Sequence, residues 1–248
     1  MLFDTFQRYL EVYRLVSREA ALKPDHTIRL LDIGSNGPGF ADFNKFPNVD
    51  QTNIDISPPD PKVLAAYPHI GFVTYPGDEL PFDDESFDIV VCVDVLEHVP
   101  PEKRAKFIHE GIRVSRRHIV FVFPVRSSAP WEQVLSKMTF GKIKFLEEHI
   151  RHGLPSENDF YEAIQPITTA KLIHESGNMN IGLWIPLKLA SSLSLRLFKR
   201  FPGLIFQSFL LYGSFFARWV NWGQCYSKTF ILEKQQHSFD SLGSPSER

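Results

Sequence analysis

A glycine-rich turn follows the first short apolar segment of the chain. The sequence LLDIGSNGPGF places Asp32 at the end of that segment and then Gly34, Gly37 and Gly39 within a few positions. Glycines let the backbone turn sharply and let a ligand come close to the main chain. The spacing is not the G-x-G-x-x-G of a dinucleotide site, and no Gly-Lys-Ser/Thr follows, which excludes a P-loop. The turn therefore predicts ligand binding, without identifying the ligand.

Two acidic residues follow the next two predicted strands. Asp55 lies at the end of one strand, where a carboxylate can accept hydrogen bonds from ribose hydroxyls. Asp78 lies after the following strand, where a carboxylate can accept a hydrogen bond from an adenine amino group. Because open parallel sheets bind ligands at the carboxyl ends of their strands, the two acids and the glycine turn predict a nucleoside pocket. The alternative is that these residues are ordinary loop acids that cap helices.

Short strands alternate with helical spacers and would position these residues. Apolar residues at helical spacing predict a helix over residues 3–22, and further helices are expected at 101–114 and 170–176. Short apolar or alternating runs predict strands at residues 28–33, 52–56, 70–74, 87–95, 118–123 and 226–232. We therefore expect an α/β fold with a Rossmann-like doubly wound sheet and a helical cap inserted before the last strand.

Three motifs resemble a known family. They are LLDIGSNGPGF, NIDIS and, most specifically, GDELPFDDESFDIVVCVDVLEHVP. Together they resemble the class I S-adenosylmethionine-dependent methyltransferases of the type 11 branch, which includes the quinone-biosynthesis methyltransferases. The resemblance covers about residues 28–124 and implies S-adenosylmethionine as the cofactor.

The resemblance also implies where the cofactor binds. The turn near Gly34 would lie behind the methionine part and Asp55 would hold the ribose. Asp78, with Glu79 and Leu80, would surround the adenine. The residues expected to bind the cofactor are Asp32, Gly34, Ser35, Asn36, Gly37, Asp55, Ile56, Asp78, Glu79, Leu80 and Asp94. The turn departs from the family's D-x-G-x-G-x-G pattern, since Asn36 and Pro38 occupy two of the glycine positions.

Methyl transfer to a hydroxyl needs a base, ideally one that titrates near neutral pH. His98 follows the fourth predicted strand and Asp94, so it should lie beside the methyl group. It is the first candidate for a catalytic residue. The alternative is a structural histidine held by hydrogen bonds.

A second candidate base lies in the segment FLEEHIRHGLPSENDFYEAI. The pattern around His149 resembles one found in methyltransferases associated with bacterial surface-polysaccharide assembly, and it implies that His149 faces the acceptor hydroxyl. The alternative is a loop histidine or a contact of a lid. Glu148, His149 and His152 have a weak metal-ligand spacing, and we expect no metal site. Ser156 and Asp159 predict a helix capping box.

A basic, aromatic-rich segment precedes the last predicted strand. Residues 176–232 contain six basic residues and no acidic residue, and ten aromatic residues lie within 181–223. We expect residues 181–223 to form a helical cap over the acceptor. The alternatives are helices packed over the core and a face that contacts an anionic membrane peripherally. The uncharged stretch 201–217 is short for a membrane span and contains proline and glycine.

The domain prediction follows from these segments. Residues 1–180 and 224–234 would form the cofactor-binding core, and residues 235–248 a flexible tail. The net charge of −2 argues against a protein that coats nucleic acid. Cys92 and Cys225 cannot form a disulfide framework, so we expect a cytoplasmic protein, with the inner face of a membrane as the alternative.

We predict transfer of a methyl group from S-adenosylmethionine to a hydroxyl of a glycan or lipid-linked intermediate. One alternative is a quinone-type or other small-molecule methyltransferase. Another is a non-catalytic cofactor-binding or membrane-scaffold protein with the same fold.

Overall fold

The computed structural model describes residues 3–140, 143–192 and 220–235. A seven-stranded sheet with the order β3-β2-β1-β4-β5-β7-β6 forms its centre. Strands β1 to β5 are parallel, and β7 is antiparallel to both of its neighbours. The strands are β1 (Ile28–Ile33), β2 (Val49–Asp55), β3 (Gly71–Thr74), β4 (Phe87–Val93), β5 (Ser115–Pro124), β6 (Ala170–Asn180) and β7 (Cys225–Lys234).

Helices cover both faces of the sheet. They are α1 (Phe3–Leu22), α2 (Pro61–Ala66), α3 (Arg104–Val114), α4 (Ala129–Met138), α5 (Lys144–His152), α6 (Glu157–Ile164) and α7 (Ile181–Ser192). Short 3-10 turns occur at Gly39–Asp42, Pro101–Lys103 and Arg126–Ser128. The predicted capping box is confirmed, because the Ser156 side chain accepts from Asp159 N–H and the Asp159 side chain accepts from Ser156 N–H at the start of α6. The predicted α/β, Rossmann-like fold is confirmed as well.

Alternate residues of the central strands enter apolar layers on opposite faces. Cys92 of β4 and Phe121 of β5 pack in the layer that contains residues of α3 and α6. Val91 and Val120, their neighbours in the chain, pack in the layer that contains residues of α1. All four are at most 1% exposed. Because both faces of these strands are covered, the strands read in the sequence as continuous apolar runs.

The parallel strands end at one edge of the sheet. Ile33 of β1 pairs with Ile54 of β2 and with Cys92 of β4. Asp55 pairs with Thr74 of β3. The loops that follow β1, β2, β3 and β4 therefore open side by side, where ligands bind in sheets of this kind.

The predicted helix at residues 170–176 is wrong, because these residues belong to the edge strand β6. The strand pairs with β7 from Ala170 opposite Lys234 to Asn180 opposite Cys225. Glu175 of β6 also binds Lys228 of β7 at 2.6 Å. The long antiparallel pairing with β7 outweighs the weak helical pattern of a short segment.

The connection between β6 and β7 begins with α7, in the region predicted to form the cap. Trp184 of α7 packs with Leu135 of α4, Leu146 of α5 and Val220 in an apolar cluster of its own. Residues 193–219, most of the predicted cap, and 236–248 of the predicted tail lie outside the described residues. Within the described part of the chain, every helix is too short or too polar to cross a membrane.

Candidate active site

A cleft of about 570 Å³ opens at the carboxyl edge of the sheet. We call it the strand-end cleft. It is lined by loops that follow β1, β2, β3 and β4, by part of α3 and by Glu148 of α5. Six of the residues predicted to bind the cofactor line it, namely Gly34, Asp55, Ile56, Asp78, Leu80 and Asp94. Five others are not among the lining residues, namely Asp32, Ser35, Asn36, Gly37 and Glu79.

Gly34 forms the floor of the cleft and cannot be replaced without strain. Its φ of +78° lies in the left-handed region. A Cβ atom there would lie 2.2 Å from Cγ2 of Val95. Its N–H donates to the carbonyl of Ile54 at 2.7 Å, which ties the turn to β2. The backbone at Gly34 therefore leaves a shallow cradle that any side chain would fill.

Asp32 stabilises the glycine-rich turn from within the protein core. The side chain is fully buried, and its Oδ2 accepts a hydrogen bond from Phe40 N–H at 2.7 Å. The hydroxyl of Tyr9 donates to the same oxygen at 3.5 Å. Burial raises the pKa of Asp32 to about 7, and the Phe40 N–H opposes that rise. Asp32 thus holds the turn rather than facing the cleft.

Asn53 of β2, which the sequence analysis did not single out, fixes the other predicted residues of the turn. Its side-chain amide donates to Oγ of Ser35 at 3.1 Å and to the carbonyl of Gly37 at 3.0 Å. Asn36 projects into solvent. The departure from the family pattern at this position therefore falls on an exposed part of the turn.

The two acids that prompted the nucleoside prediction line the same cleft. Oδ1 of Asp55 accepts from Ser57 N–H at 2.7 Å. Asp78 is largely exposed and lies 3.4 Å from Nζ of Lys103. Glu79 instead pairs with Lys106 at 2.9 Å, with its side chain 72% exposed. Asp55 and Asp78 therefore present carboxylates to one cavity, and that this cavity holds a nucleoside stays a prediction.

A second cavity, of about 290 Å³, adjoins the strand-end cleft. We call it the inner pocket. Asp94 and His98 line both cavities. Asp94, with φ of +54°, forms an ion pair with Arg8 of α1. The remaining residues of the inner pocket come from distant parts of the chain, namely Glu97, Phe145, His149, Met179, Trp184, Lys188, Tyr226 and Ser227.

His149 is buried in the wall of the inner pocket. Its Nδ1 lies 2.8 Å from Oε1 of Glu132, which is 1% exposed. The hydroxyl of Tyr226 donates to the same oxygen at 2.8 Å. Because a carboxylate at this distance accepts, Nδ1 carries the proton and Nε2 has the free lone pair. Nε2 is buried and has no hydrogen-bond partner among the described residues.

His98 lies next to His149, with 5.0 Å between the ring centroids. Its Nδ1 bonds Oε2 of Glu148 at 2.9 Å. Burial and then the neighbouring His149 lower the pKa of His98. Glu97 is 1% exposed, and burial raises its pKa to about 8. The structure therefore brings both predicted histidines together at the boundary between the two cavities.

Glu132 and Tyr226 form part of this site, and sequence reasoning missed both, whereas Glu97 follows the fourth predicted strand and was expected beside the methyl group. The sequence carried one indication of the role of Glu132, because it is an acidic residue on the buried stripe of α4. The stripe continues in Leu135, which is fully buried. An acid among apolar residues at helical spacing is unusual, since buried carboxylates need a partner. Its partner lies 17 positions away, so no local motif joins them.

Comparison with known proteins identifies the domain. Residues 31–123 match the family model of a methyltransferase domain. These residues carry an S-adenosylmethionine-dependent methyltransferase domain. The matched range contains the cleft residues from Ile33 to Glu110 and ends within β5. Most of the inner pocket lies outside it, including Phe145, His149 and Trp184.

Solved structures with low sequence identity share the fold of this methyltransferase. The plantazolicin methyltransferase BpumL, solved with a monoazolic desmethylPZN analog and SAH, aligns with a TM-score of 0.60 and 14% identity, over 94% of this chain and 85% of that one. Magnesium protoporphyrin IX methyltransferase from Synechocystis PCC 6803, solved with SAH, aligns with a TM-score of 0.55 and 13% identity, over 92% of this chain and 84% of that one. A protein assigned as a sarcosine dimethylglycine methyltransferase in Galdieria sulphuraria aligns with a TM-score of 0.58 and 18% identity, over 91% of this chain and 86% of that one. No curated protein sequence matches the chain significantly.

Proposed function

We propose that this methyltransferase binds S-adenosylmethionine along the strand-end cleft and methylates an acceptor held in the inner pocket. The observation that carries the proposal is that Asp94 and His98 line both cavities. Ligands in the two cavities would therefore meet at these residues. That is where a methyl group must pass from one to the other.

The residues of the strand-end cleft fit the cofactor. The cradle at Gly34, which a Cβ would fill, suits the methionine part. The carboxylate of Asp55 suits the ribose hydroxyls. Asp78 and the buried Leu80 suit the polar edge and the apolar face of adenine. The cleft volume of about 570 Å³ lies in the range of small-molecule sites.

The protein contributes alignment and a proton acceptor. S-adenosylmethionine supplies an activated methyl group, which leaves its sulfur for the acceptor oxygen. Nε2 of His149 takes the proton of the acceptor hydroxyl. Glu132 holds the Nδ1–H and stabilises the imidazolium that forms, and Tyr226 fixes the position of Glu132. His98, held by Glu148, forms the wall that orients the acceptor between the two cavities.

The walls of the inner pocket favour an acceptor with a ring and a negative charge. Trp184 stacks on Tyr226 with 3.9 Å between ring centroids, and Phe145 lines the same pocket. Flat aromatic faces pack well against sugar rings and other rings. Arg8 and Lys188, which also line the pocket, suit a phosphate or carboxylate. We therefore propose a hydroxyl at the end of a glycan or lipid-linked intermediate as the acceptor.

We also propose that the segment 181–223 covers the acceptor and contacts an anionic membrane peripherally. Its cations and aromatic residues support this placement. Flotation with vesicles tests it. Recovery should rise with the anionic lipid fraction and fall as salt is added. Equal recovery on neutral and anionic vesicles would contradict the membrane contact while leaving methyl transfer untouched.

A radiolabel transfer assay tests the proposed acceptor. The purified enzyme is incubated with S-adenosylmethionine carrying a labelled methyl group and with separate glycan, lipid-linked, quinone-precursor and small-molecule fractions. We expect label in the glycan or lipid-linked fraction, in a base-stable ether. Label only in quinone precursors or free small molecules would replace this acceptor class. Absence of label from every fraction, with no binding of S-adenosylhomocysteine, would favour a non-catalytic scaffold.

A further inference from the structure

Glu97, His98 and His149 form a cluster on the wall of the inner pocket. Each offers one ligand atom, and these atoms all lie within 4.8 Å of one another. Glu97 and His149 are 1% and 4% exposed. The cluster differs from the set Glu148, His149 and His152 that the sequence suggests, because the ligands come from two elements that are distant in the chain. A buried set of two imidazoles and one carboxylate is chemically suited to a divalent metal ion.

Two of the three residues in the cluster have a polar atom without a partner. Oε2 of Glu97 and Nε2 of His149 are both buried and without a hydrogen bond among the described residues. Leaving a buried polar atom unpaired costs about 1–3 kcal/mol, so most such atoms in proteins are satisfied. Two unsatisfied atoms in one cluster therefore indicate a ligand that can bond to both at once.

Both histidines are held as metal-bound histidines are. Nδ1 of His149 bonds Oε1 of Glu132 at 2.8 Å, and Nδ1 of His98 bonds Oε2 of Glu148 at 2.9 Å. A metal-bound histidine usually donates its other ring N–H to a carboxylate or carbonyl, which fixes the ring and makes the ligating nitrogen more basic. The carboxylates leave Nε2 of each ring for an ion.

We propose that Glu97, His98 and His149 bind one divalent transition-metal ion of the zinc type, through one carboxylate and two Nε2 atoms. Two imidazoles and a carboxylate suit Zn²⁺ and its neighbours better than Mg²⁺ or Ca²⁺, which prefer oxygen ligands. Bonds of about 2.1 Å in a tetrahedral site place ligand atoms about 3.4 Å apart. The three side chains need to close by a little over an ångström at most. The fourth position then opens toward the inner pocket.

The consequence for catalysis rests on the proposed function. An ion and a proton compete for the same Nε2 of His149. Bound Zn²⁺ therefore keeps His149 from accepting the hydroxyl proton, and the metal-loaded enzyme transfers methyl groups more slowly than the metal-free enzyme. Binding of the ion itself does not depend on methyl transfer.

Titration with Co²⁺ tests the site directly. The whole protein is dialysed against EDTA, freed of the chelator and titrated with Co²⁺ while the visible spectrum is recorded. We expect ligand-field bands that saturate at one equivalent and disappear on addition of Zn²⁺. Glu97→Gln should abolish the bands. Glu132→Gln keeps all three ligands but weakens the hold on His149, so the affinity should fall about 10–100-fold.

Controls keep the outcomes distinct. His174→Gln removes an exposed histidine of β6 and should bind Co²⁺ as the wild type does. Circular dichroism of each variant checks that it is folded. Bands absent from the folded wild type, or retained in folded Glu97→Gln, would overturn the metal site. One equivalent of Co²⁺ bound with Zn²⁺ leaving methyl transfer unchanged would instead overturn the role of His149 as the base.

Discussion

The strand-end cleft and the inner pocket share Asp94 and His98, but they are built in different ways. The cleft is lined almost entirely by one stretch of chain between Ile33 and Glu110. Its carboxylates are accessible, and Asp78 pairs with a lysine at the surface. The inner pocket draws on α1, α5, α7 and the strands β6 and β7. Two of its carboxyl groups are deeply buried, since Glu97 in the lining and Glu132 behind His149 are each 1% exposed.

The cleft follows from the strand order of the fold, whereas the inner pocket depends on the particular sequence of this protein. The parallel strand order alone brings the ends of β1 to β4 together, so any chain with this sheet can build the cleft from local loops. The inner pocket is lined by residues that lie up to more than 200 positions apart in the chain, such as Arg8 and Tyr226. We expect variants of the pocket to alter turnover and acceptor choice, and variants of the cleft to alter cofactor affinity.

The largest effect is expected for His149→Gln. The change removes the proton acceptor, so the rate should fall about 10²–10⁴-fold. The affinity for S-adenosylhomocysteine should stay the same, because His149 does not line the strand-end cleft. Initial rates with EDTA-treated enzyme and calorimetry with S-adenosylhomocysteine measure the two quantities. A fall in affinity for S-adenosylhomocysteine as large as the fall in rate would contradict the assignment of the cofactor and the acceptor to separate cavities.

A change in the pH dependence of stability is expected for Asp32→Asn. The raised pKa of about 7 means that folding favours the neutral carboxyl. Its stabilising effect is present in full below the unfolded pKa of about 4 and is lost as the pH rises through about 7. The wild type should therefore lose up to about 4 kcal/mol of unfolding free energy across this interval. Asp32→Asn, whose amide oxygen still accepts from Phe40, should lose less.

Urea unfolding of both proteins at several pH values between 4 and 8 measures this difference. The variant's stability relative to the wild type should rise with pH. A constant difference would show that Asp32 does not carry the raised pKa. Unfolding does not depend on enzyme activity, so this measurement tests only the role of Asp32 in stabilising the turn beside the strand-end cleft.

A smaller effect is expected for Gly34→Ala. The added Cβ meets Val95 at 2.2 Å and is strained by the positive φ, so the free energy of unfolding should fall by about 1–3 kcal/mol. Cofactor affinity should fall with it, because the cradle is filled. Gly37→Ala is the matched control, since nothing lies within 4 Å of its Cβ position. Equal affinity of the two variants for S-adenosylhomocysteine would contradict the role of Gly34.

The smallest effect is expected for Tyr226→Phe. It removes the hydroxyl that donates to Glu132 but keeps the ring that stacks on Trp184. A hydrogen bond of this kind contributes about 0.5–1.5 kcal/mol, so turnover should fall about 2–12-fold. The KM for the cofactor should not change. A loss as large as that of His149→Gln would mean that Tyr226 acts directly on the acceptor.

The same division explains what could be predicted from the sequence. The prediction for α1 agrees in both bounds, and β4 is predicted to within two residues, because apolar periodicity reports local burial. Asp55 and Asp78 could be placed at the same edge of the sheet because each follows a predicted strand. The strand β6 was mistaken for a helix, because its partner β7 lies some 50 positions further along the chain. Glu132 was missed for the same reason, since its partner His149 lies on another helix.

Asp32 and Glu79, two of the residues predicted to bind the cofactor, lie outside the lining of the strand-end cleft, and their role stays a prediction. Asp32 was expected to bind the cofactor, but it is buried beneath the turn and bonded to Phe40. Glu79 was expected near adenine, but it pairs with Lys106 outside the lining of the cleft. In both cases the sequence gives the position along the backbone. It does not give the direction of the side chain, which neighbouring elements determine.

Calorimetry with S-adenosylhomocysteine provides the most direct test of the two-cavity arrangement. The wild type, Asp55→Asn and His149→Gln are titrated under identical conditions, with Glu79→Gln as the matched acidic control. We expect one equivalent to bind the wild type, His149→Gln and Glu79→Gln with equal affinity. Asp55→Asn should bind about 10–100-fold more weakly, because hydrogen bonds to a charged group are lost. Failure of the folded wild type to bind, or equal binding by Asp55→Asn, would contradict the assignment of the strand-end cleft to the cofactor.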